Sequence, residues 1–152
     1  MEVFRIAKEK YCNSLTVAGN EARWNKKGEE VLYTAASRSL ASLEIIVQDA
    51  GIRSDTVSRI MVIYLAGDDD LITQVRQADL PTNWRSVTAY SDLREIGSEW
   101  FKKQKSLVLQ VPSAIIPLEY NFLINTKHSE FENKIKLITT EEFFWDTRLY
   151  KK

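Results

Sequence analysis

A chain of 152 residues, 44% hydrophobic and 28% charged, has the size and composition of one globular domain that builds its core without covalent staples. Its 21 basic and 21 acidic side chains cancel, which excludes the global positive field of a nucleic-acid binder. A single cysteine, Cys12, excludes an internal disulfide, and with the single His128 far from it a metal site is not expected.

The elements follow in chain order. Residues 3–7 have the β-favouring content of a short strand. Residues 11–28 are polar and irregular, with Gly19, Asn20, Asn25 and Gly28 as turn formers, and a loop of that length is usually functional. Val31–Ala35 reads as a strand, and Ser37 as the N-cap of a helix over residues 37–49 that Gly51 stops. Helical spacing puts Leu40, Leu43, Val47 and Ala50 on its buried face, with Ile46 beside them. The near-continuous apolar run 59–65 predicts a buried strand, and residues 67–70 a turn.

Residues 71–78 predict a short helix, and 81–84 a loop carrying the large aromatic Trp84. Ser91 is expected to cap the next helix: Asp92 and Glu95 suit its N-terminal end, and Lys102, Lys103 and Lys105 its C-terminal end. Leu93, Ile96, Gly97, Trp100 and Phe101 form its apolar stripe. Strands follow at 107–111, broken by Pro112, at 120–124 and at 135–139, before the aromatic tail 143–145. Elements alternate early and strands cluster late, so the expectation is an α+β fold in a single domain spanning residues 1–152. No apolar run reaches the length of a membrane span and the N-terminus lacks a signal-peptide core, so a cytoplasmic protein without membrane contact is expected.

Several chemistries can be set aside. The five glycines assemble neither a dinucleotide fingerprint nor a P-loop, and there is no nucleophile elbow. Asp68, Asp69 and Asp70 lack the spacing of a calcium loop, and His128 reads as a loop residue making local hydrogen bonds. Glu44 is the unusual residue. It sits inside the apolar run Leu43-Glu44-Ile45-Ile46-Val47, where an unpaired charge would cost as much as a whole domain's stability. Arg23 is the nearest attractive upstream partner. In Arg23-Trp24-Asn25-Lys26-Lys27 the arginine is either part of an exposed basic loop anchored by Trp24 or an anion clamp aided by Asn25. Tyr33 ends a strand with its hydroxyl at the rim, and Ser113 beside Pro112 is either a turn former or a hydroxyl at a cleft edge.

Taken in order, these pieces resemble the RES-domain family, the toxin component of many bacterial RES–Xre toxin–antitoxin modules, named for an arginine, a glutamate and a serine. Phe4-Arg5-Ile6 is similar to its opening strand, Arg23-Trp24-Asn25 with Lys27-Gly28 to its arginine loop, and Val31-Leu32-Tyr33-Thr34-Ala35 to its tyrosine strand. Leu43-Glu44 is similar to its glutamate helix, Val111-Pro112-Ser113-Ala114 to its serine turn, Asn121-Phe122-Leu123-Ile124-Asn125 to the segment beyond, and Phe144-Trp145-Asp146 to its end. The chain departs from the common pattern at Glu21-Ala22, Gln48, Thr126 and Ser129.

The resemblance implies an ADP-ribosyltransferase-like mixed β-sheet with flanking helices that consumes NAD as a substrate. It would cut the nicotinamide–ribose bond by hydrolysis or, with inorganic phosphate as co-substrate, by phosphorolysis. It further implies that Arg23 binds the pyrophosphate, Tyr33 orients the nicotinamide, Glu44 stabilises the ribosyl cation and Ser113 bonds the nicotinamide side, with Asn25, Lys27 and Trp84 lining the cleft. An Xre-type antitoxin is the implied partner. Transfer of ADP-ribose to a protein, and a silent antitoxin-binding domain, are the alternatives.

Overall fold

Alternating apolar side chains let seven segments pair edge to edge: β1 (Glu2–Lys8), β2 (Val31–Ala35), β3 (Ser58–Leu65), β4 (Ile72–Gln74), β5 (Val108–Pro112), β6 (Tyr120–Asn125) and β7 (Ile135–Phe143). In the computed structural model, which describes residues 1–48 and 57–149, they form one sheet in the order β4-β5-β6-β2-β1-β3-β7. Among the described residues only β4 and β5 run parallel; the other neighbours are antiparallel. Among the described residues three α-helices, α1 (Arg38–Gln48), α2 (Tyr90–Lys103) and the short α3 (Phe131–Lys134), complete a mixed α+β fold. Among the described residues no helix is long and apolar enough to cross a membrane.

Strand alternation explains why the run at β3 is almost wholly apolar. Met61, Ile63 and Leu65 pack into one core cluster with Val3, while Ile60 and Val62 pack into another with Phe4, Ile6 and Leu40. Both faces of this strand are covered, so neither can be polar. A third cluster gathers Trp24, Trp84 and Trp100 with Leu93 of α2 and Leu109, Val111 and Leu123 of the sheet.

The sheet is nearly split at its centre. β1 pairs with β3 over its whole length but with β2 only at Phe4 opposite Ala35. Beyond that pair the two strands diverge, and the Arg5 guanidinium reaches across to donate from Nη1 to the Tyr33 carbonyl at 3.1 Å. A cleft opens in this fork.

Three expectations are corrected. Residues 72–74 are a strand, not part of a helix over 71–78. The β-branched Ile72 and Thr73 pair with β5, and Thr73 Oγ1 lies 2.8 Å from Ser106 Oγ. Ser91 is not the cap of α2: a 3₁₀ turn at Val87–Ala89, capped by Ser86 accepting from Thr88 N, leads into the helix, whose N-cap position is Ala89, two residues earlier.

The third correction concerns α1. Ser37 does cap it, its Oγ accepting from Leu40 N at 3.0 Å. Its stripe is rotated, however: Leu40 and Ala41 are buried and Ile45 packs against their cluster, whereas Leu43 and Val47 are 37% and 63% exposed. The face that meets the sheet therefore continues through Glu44, which is half-buried and lines the cleft. Residues 49–51, where the helix was expected to end, lie outside the described residues.

Candidate active site

A cleft of about 1130 Å³ lies in the fork of the sheet, with Arg5 of β1, Tyr33 of β2, Glu44 of α1, Asn121 of β6, and Arg23, Tyr90 and Arg94 among its walls. Glu44 is half-buried here rather than sealed in the core, because the sheet fixes the rotation of α1. Arg23 is not its hydrogen-bonding partner. Oε1 of Glu44 accepts from Asn121 Nδ2 at 2.6 Å and from Ser113 Oγ at 3.0 Å. These neutral donors orient the carboxylate without cancelling its charge.

Ser113 has no exposed surface. Its Oγ also accepts from the amides of Ile115 and Ile116, at 3.1 and 3.2 Å, so one hydroxyl both shapes the turn and aims Glu44. The two sequence readings of Ser113 are thereby merged, but its hydroxyl is held behind the cleft wall.

Arg23 occupies another part of the wall. Nη1 donates to the carbonyls of Trp84 and Arg85 at 3.1 and 3.3 Å, and the guanidinium sits 4.6 Å above the Tyr90 ring. Arg94 reaches the same ring at 5.4 Å and donates from Nε to the Ala22 carbonyl at 2.7 Å. Two guanidiniums thus share one aromatic ring on the cleft wall.

The loop that carries Arg23 is built from inside. Gly19 and Gly28 adopt positive φ, 68° and 91°, and Gly28 N donates to Gly19 O at 2.8 Å to close it. Asn25, 1% exposed, donates from Nδ2 to the carbonyls of Asn20, Lys26 and Glu29. Its Oδ1 accepts from the Tyr33 hydroxyl at 2.8 Å, and that hydroxyl accepts from Trp24 N at 3.1 Å. Burial pushes the Tyr33 phenol well above the ordinary tyrosine range, so it is a neutral strut rather than a base.

The expectation that Asn25, Trp84 and Lys27 line the cleft is corrected. Asn25 is spent on loop carbonyls, Trp84 is buried in the tryptophan cluster, and Lys27 is exposed away from the lining. His128 ties a loop, with Nδ1 accepting from Glu130 N and Nε2 3.1 Å from the Gln104 carbonyl. Among the described residues no three His, Cys, Asp or Glu side chains are placed to share a metal ion.

Four of the wall residues, Arg5, Tyr90, Arg94 and Asn121, were missed as site residues. Arg5 is deeply desolvated, which pushes its pKa down, and no carboxylate among the described residues forms an ion pair with it. A cation in the middle of an otherwise apolar strand was the available signal. Asn121 was readable as a strand residue and as part of the family-like segment 121–125, but with no role in a site.

Sequence comparisons place the chain in a family. The family model described as RES domain matches residues 2–146. The chain belongs to the RES-domain family. It is 37% identical to the protein named Toxin Res of Yersinia enterocolitica, over 98% of this chain and 99% of that one. It is 32% identical to Toxin Res of Photorhabdus laumondii, over 99% and 98% of the two chains. A Sphingobium protein named Prs ADP-ribosylating toxin is 32% identical over 86% of this chain and 81% of its own. In this RES domain Arg23 and Glu44 stand on the walls of one cleft, and Ser113 stands behind Glu44.

Proposed function

We propose that this RES-domain protein is a toxin that consumes NAD, breaking the bond between nicotinamide and ribose. The observation that carries the reading is Glu44: a carboxylate held at Oε1 by two neutral donors, on the wall of a cleft that also presents Arg5, Arg23 and Arg94. The substrate's chemistry suits such a wall. When the C1′–N bond breaks, both electrons go to the pyridinium nitrogen and nicotinamide leaves neutral, so no general acid is needed. Positive charge concentrates on the ribose, as in glycoside hydrolysis. A carboxylate fixed in advance stabilises that charge with little reorganisation.

The other walls take the remaining parts of the dinucleotide. Arg23, with Arg94 beside it, holds the pyrophosphate, since guanidinium presents a rigid fork to phosphate oxygens. Tyr33 forms a neutral side of the nicotinamide end, and Ser113 acts through Glu44. Water attacks the same ribose carbon and loses a proton to solvent, yielding ADP-ribose, or an anionic oxygen of inorganic phosphate attacks it directly, yielding ADP-ribose 1″-phosphate. The fold would then be used in the manner of ADP-ribosyltransferases, and an Xre-type antitoxin would occlude the cleft.

A second reading, transfer of ADP-ribose to a protein, is favoured by the Sphingobium relative's name. Both reactions break the same bond and differ in the acceptor. Purified protein incubated with NAD, with and without phosphate, and analysed by chromatography tests the proposal. Free nicotinamide is expected, with a phosphorylated ADP-ribose only where phosphate is present for phosphorolysis. Intact NAD after long incubation would overturn it, and label from NAD retained on a lysate protein would favour transfer.

A further inference from the structure

Asn121 opens the inward part of β6, opposite Ala35 of β2 and Val111 of β5, where three strand ends meet under α1. Its Nδ2 makes the shorter of the two contacts to Glu44 Oε1, at 2.6 Å against 3.0 Å from Ser113. The amide orientation is fixed by chemistry, because a flipped carboxamide would set oxygen against carboxylate oxygen. That orientation leaves Oδ1 buried, and no donor among the described residues reaches it. Such an acceptor is rarely left alone in a folded protein. Asn121 also lines the cleft, so its neighbours there include whatever the cleft binds.

We infer that Asn121 is the positioning residue of Glu44, and that its unpartnered carbonyl accepts a hydrogen bond from an N–H or O–H of the bound dinucleotide. The inference rests on the NAD-cleaving reading of the site. The amide does two things with its two ends. One end sets the direction of the carboxylate without adding charge, so that the anion stays available to the ribosyl cation. The other counts a donor on the substrate, either the carboxamide N–H or a ribose hydroxyl. A leucine would fill the space and do neither. An aspartate would keep an acceptor but turn an oxygen toward Glu44.

The test compares wild type, N121D and N121L as purified full chains, each checked for folding by thermal melting. N121D is expected to lose kcat by about 10- to 100-fold, the usual range for a partner that orients a reactive group, with little change in KM. N121L is expected to lose kcat similarly and to raise KM by about fivefold, the worth of one hydrogen bond. A purely structural asparagine would not split kcat from KM between the two variants. With the acetylpyridine analogue of NAD, which lacks the amide N–H, the KM effect of N121L disappears if the carboxamide is the donor and persists if a ribose hydroxyl is. In ligand-free crystals of N121L the Glu44 carboxylate is expected to leave Ser113. Unchanged kinetics in both variants, or Glu44 unmoved in N121L crystals, would overturn the inference. The crystals are read without NAD, so a wild-type protein that leaves NAD intact would remove the proposed reaction while the Glu44 position still decides the positioning role.

Discussion

At the scale of single residues, the site is a division of labour between side chains that face the cleft and side chains that hold them. Glu44 faces it and Ser113 and Asn121 hold it. Glu44→Gln keeps the shape and removes the charge, so NAD turnover is expected to fall about 100- to 1000-fold, the range for one preorganised electrostatic group. Nicotinamide release measured by chromatography, beside an unchanged melting curve, checks this. Full activity would remove Glu44 from the mechanism.

Tyr33 belongs with the supports. Its phenol is pushed above its ordinary value chiefly by burial, so the folded state keeps the proton more tightly than the unfolded chain. The stability this contributes is complete below the ordinary tyrosine value near 10 and is lost as pH rises beyond it. Tyr33→Phe removes that dependence, so its alkaline unfolding limb should be flatter than that of the wild type. It also strands Asn25 Oδ1 and Trp24 N, at a cost of about 1–3 kcal/mol near neutral pH. Denaturant titrations at pH 7 and in the alkaline range read both effects.

At the scale of elements, α1 and α2 are fixed by close contacts of opposite kinds. α2 meets the Arg23 loop at Gly97, where an added Cβ would lie 1.7 Å from the Trp24 carbonyl oxygen. The obstacle is backbone, which cannot swing aside as a side chain would. Gly97→Ala should therefore destabilise at or beyond the upper end of ordinary overpacking, about 3 kcal/mol, and weaken NAD binding through the displaced loop. A melting temperature equal to wild type would show that the contact yields easily.

The rotation of α1 is tested by contrast. Leu40 has no exposed surface, so Leu40→Ala should cost about 2–5 kcal/mol. The equivalent change at Leu43, 37% exposed, should cost well under half as much. Equal losses would mean that the helix buries the face its apolar spacing suggests. That spacing was a poor guide because apolar residues recur on more than one face of this helix. The sheet chose the face through Leu40, Ala41 and Ile45, and so brought Glu44 to the cleft.

At the scale of the whole molecule, the proposed function depends on a sheet that is continuous in topology and forked in space. One residue pair joins β1 to β2, and the fork beyond it makes room for a ligand without a hinge between domains. Charge follows the same logic. The chain is neutral overall, yet Arg5, Arg23 and Arg94 reach one cleft. Arg94 is paired with Glu21 at 3.4 Å and Glu44 shares the wall, so the positive charge that would recruit a dinucleotide is local to Arg5 and Arg23 rather than a property of net charge. Expression of the wild type in a bacterium is expected to lower cellular NAD and arrest growth, with Glu44→Gln doing neither. Cellular NAD measured after induction decides the point.

The strands at 31–35, 58–65 and 120–125 were legible because period-2 and fully apolar patterns are local, and the Arg23 loop was legible because its residue types recur in a recognisable order. Arg5 and Asn121 escaped because an arginine or asparagine in a strand looks ordinary until its neighbours across the sheet are known. The amino-acid order alone settled the α+β class, the positions of most elements and the family, since each rests on short-range patterning or on ordered motifs. Only the tertiary structure decided which face of α1 is buried, which donors hold Glu44, and that Asn25 and Ser113 stand behind the wall rather than on it. Those outcomes depend on contacts between residues far apart in the chain, and no local pattern encodes them.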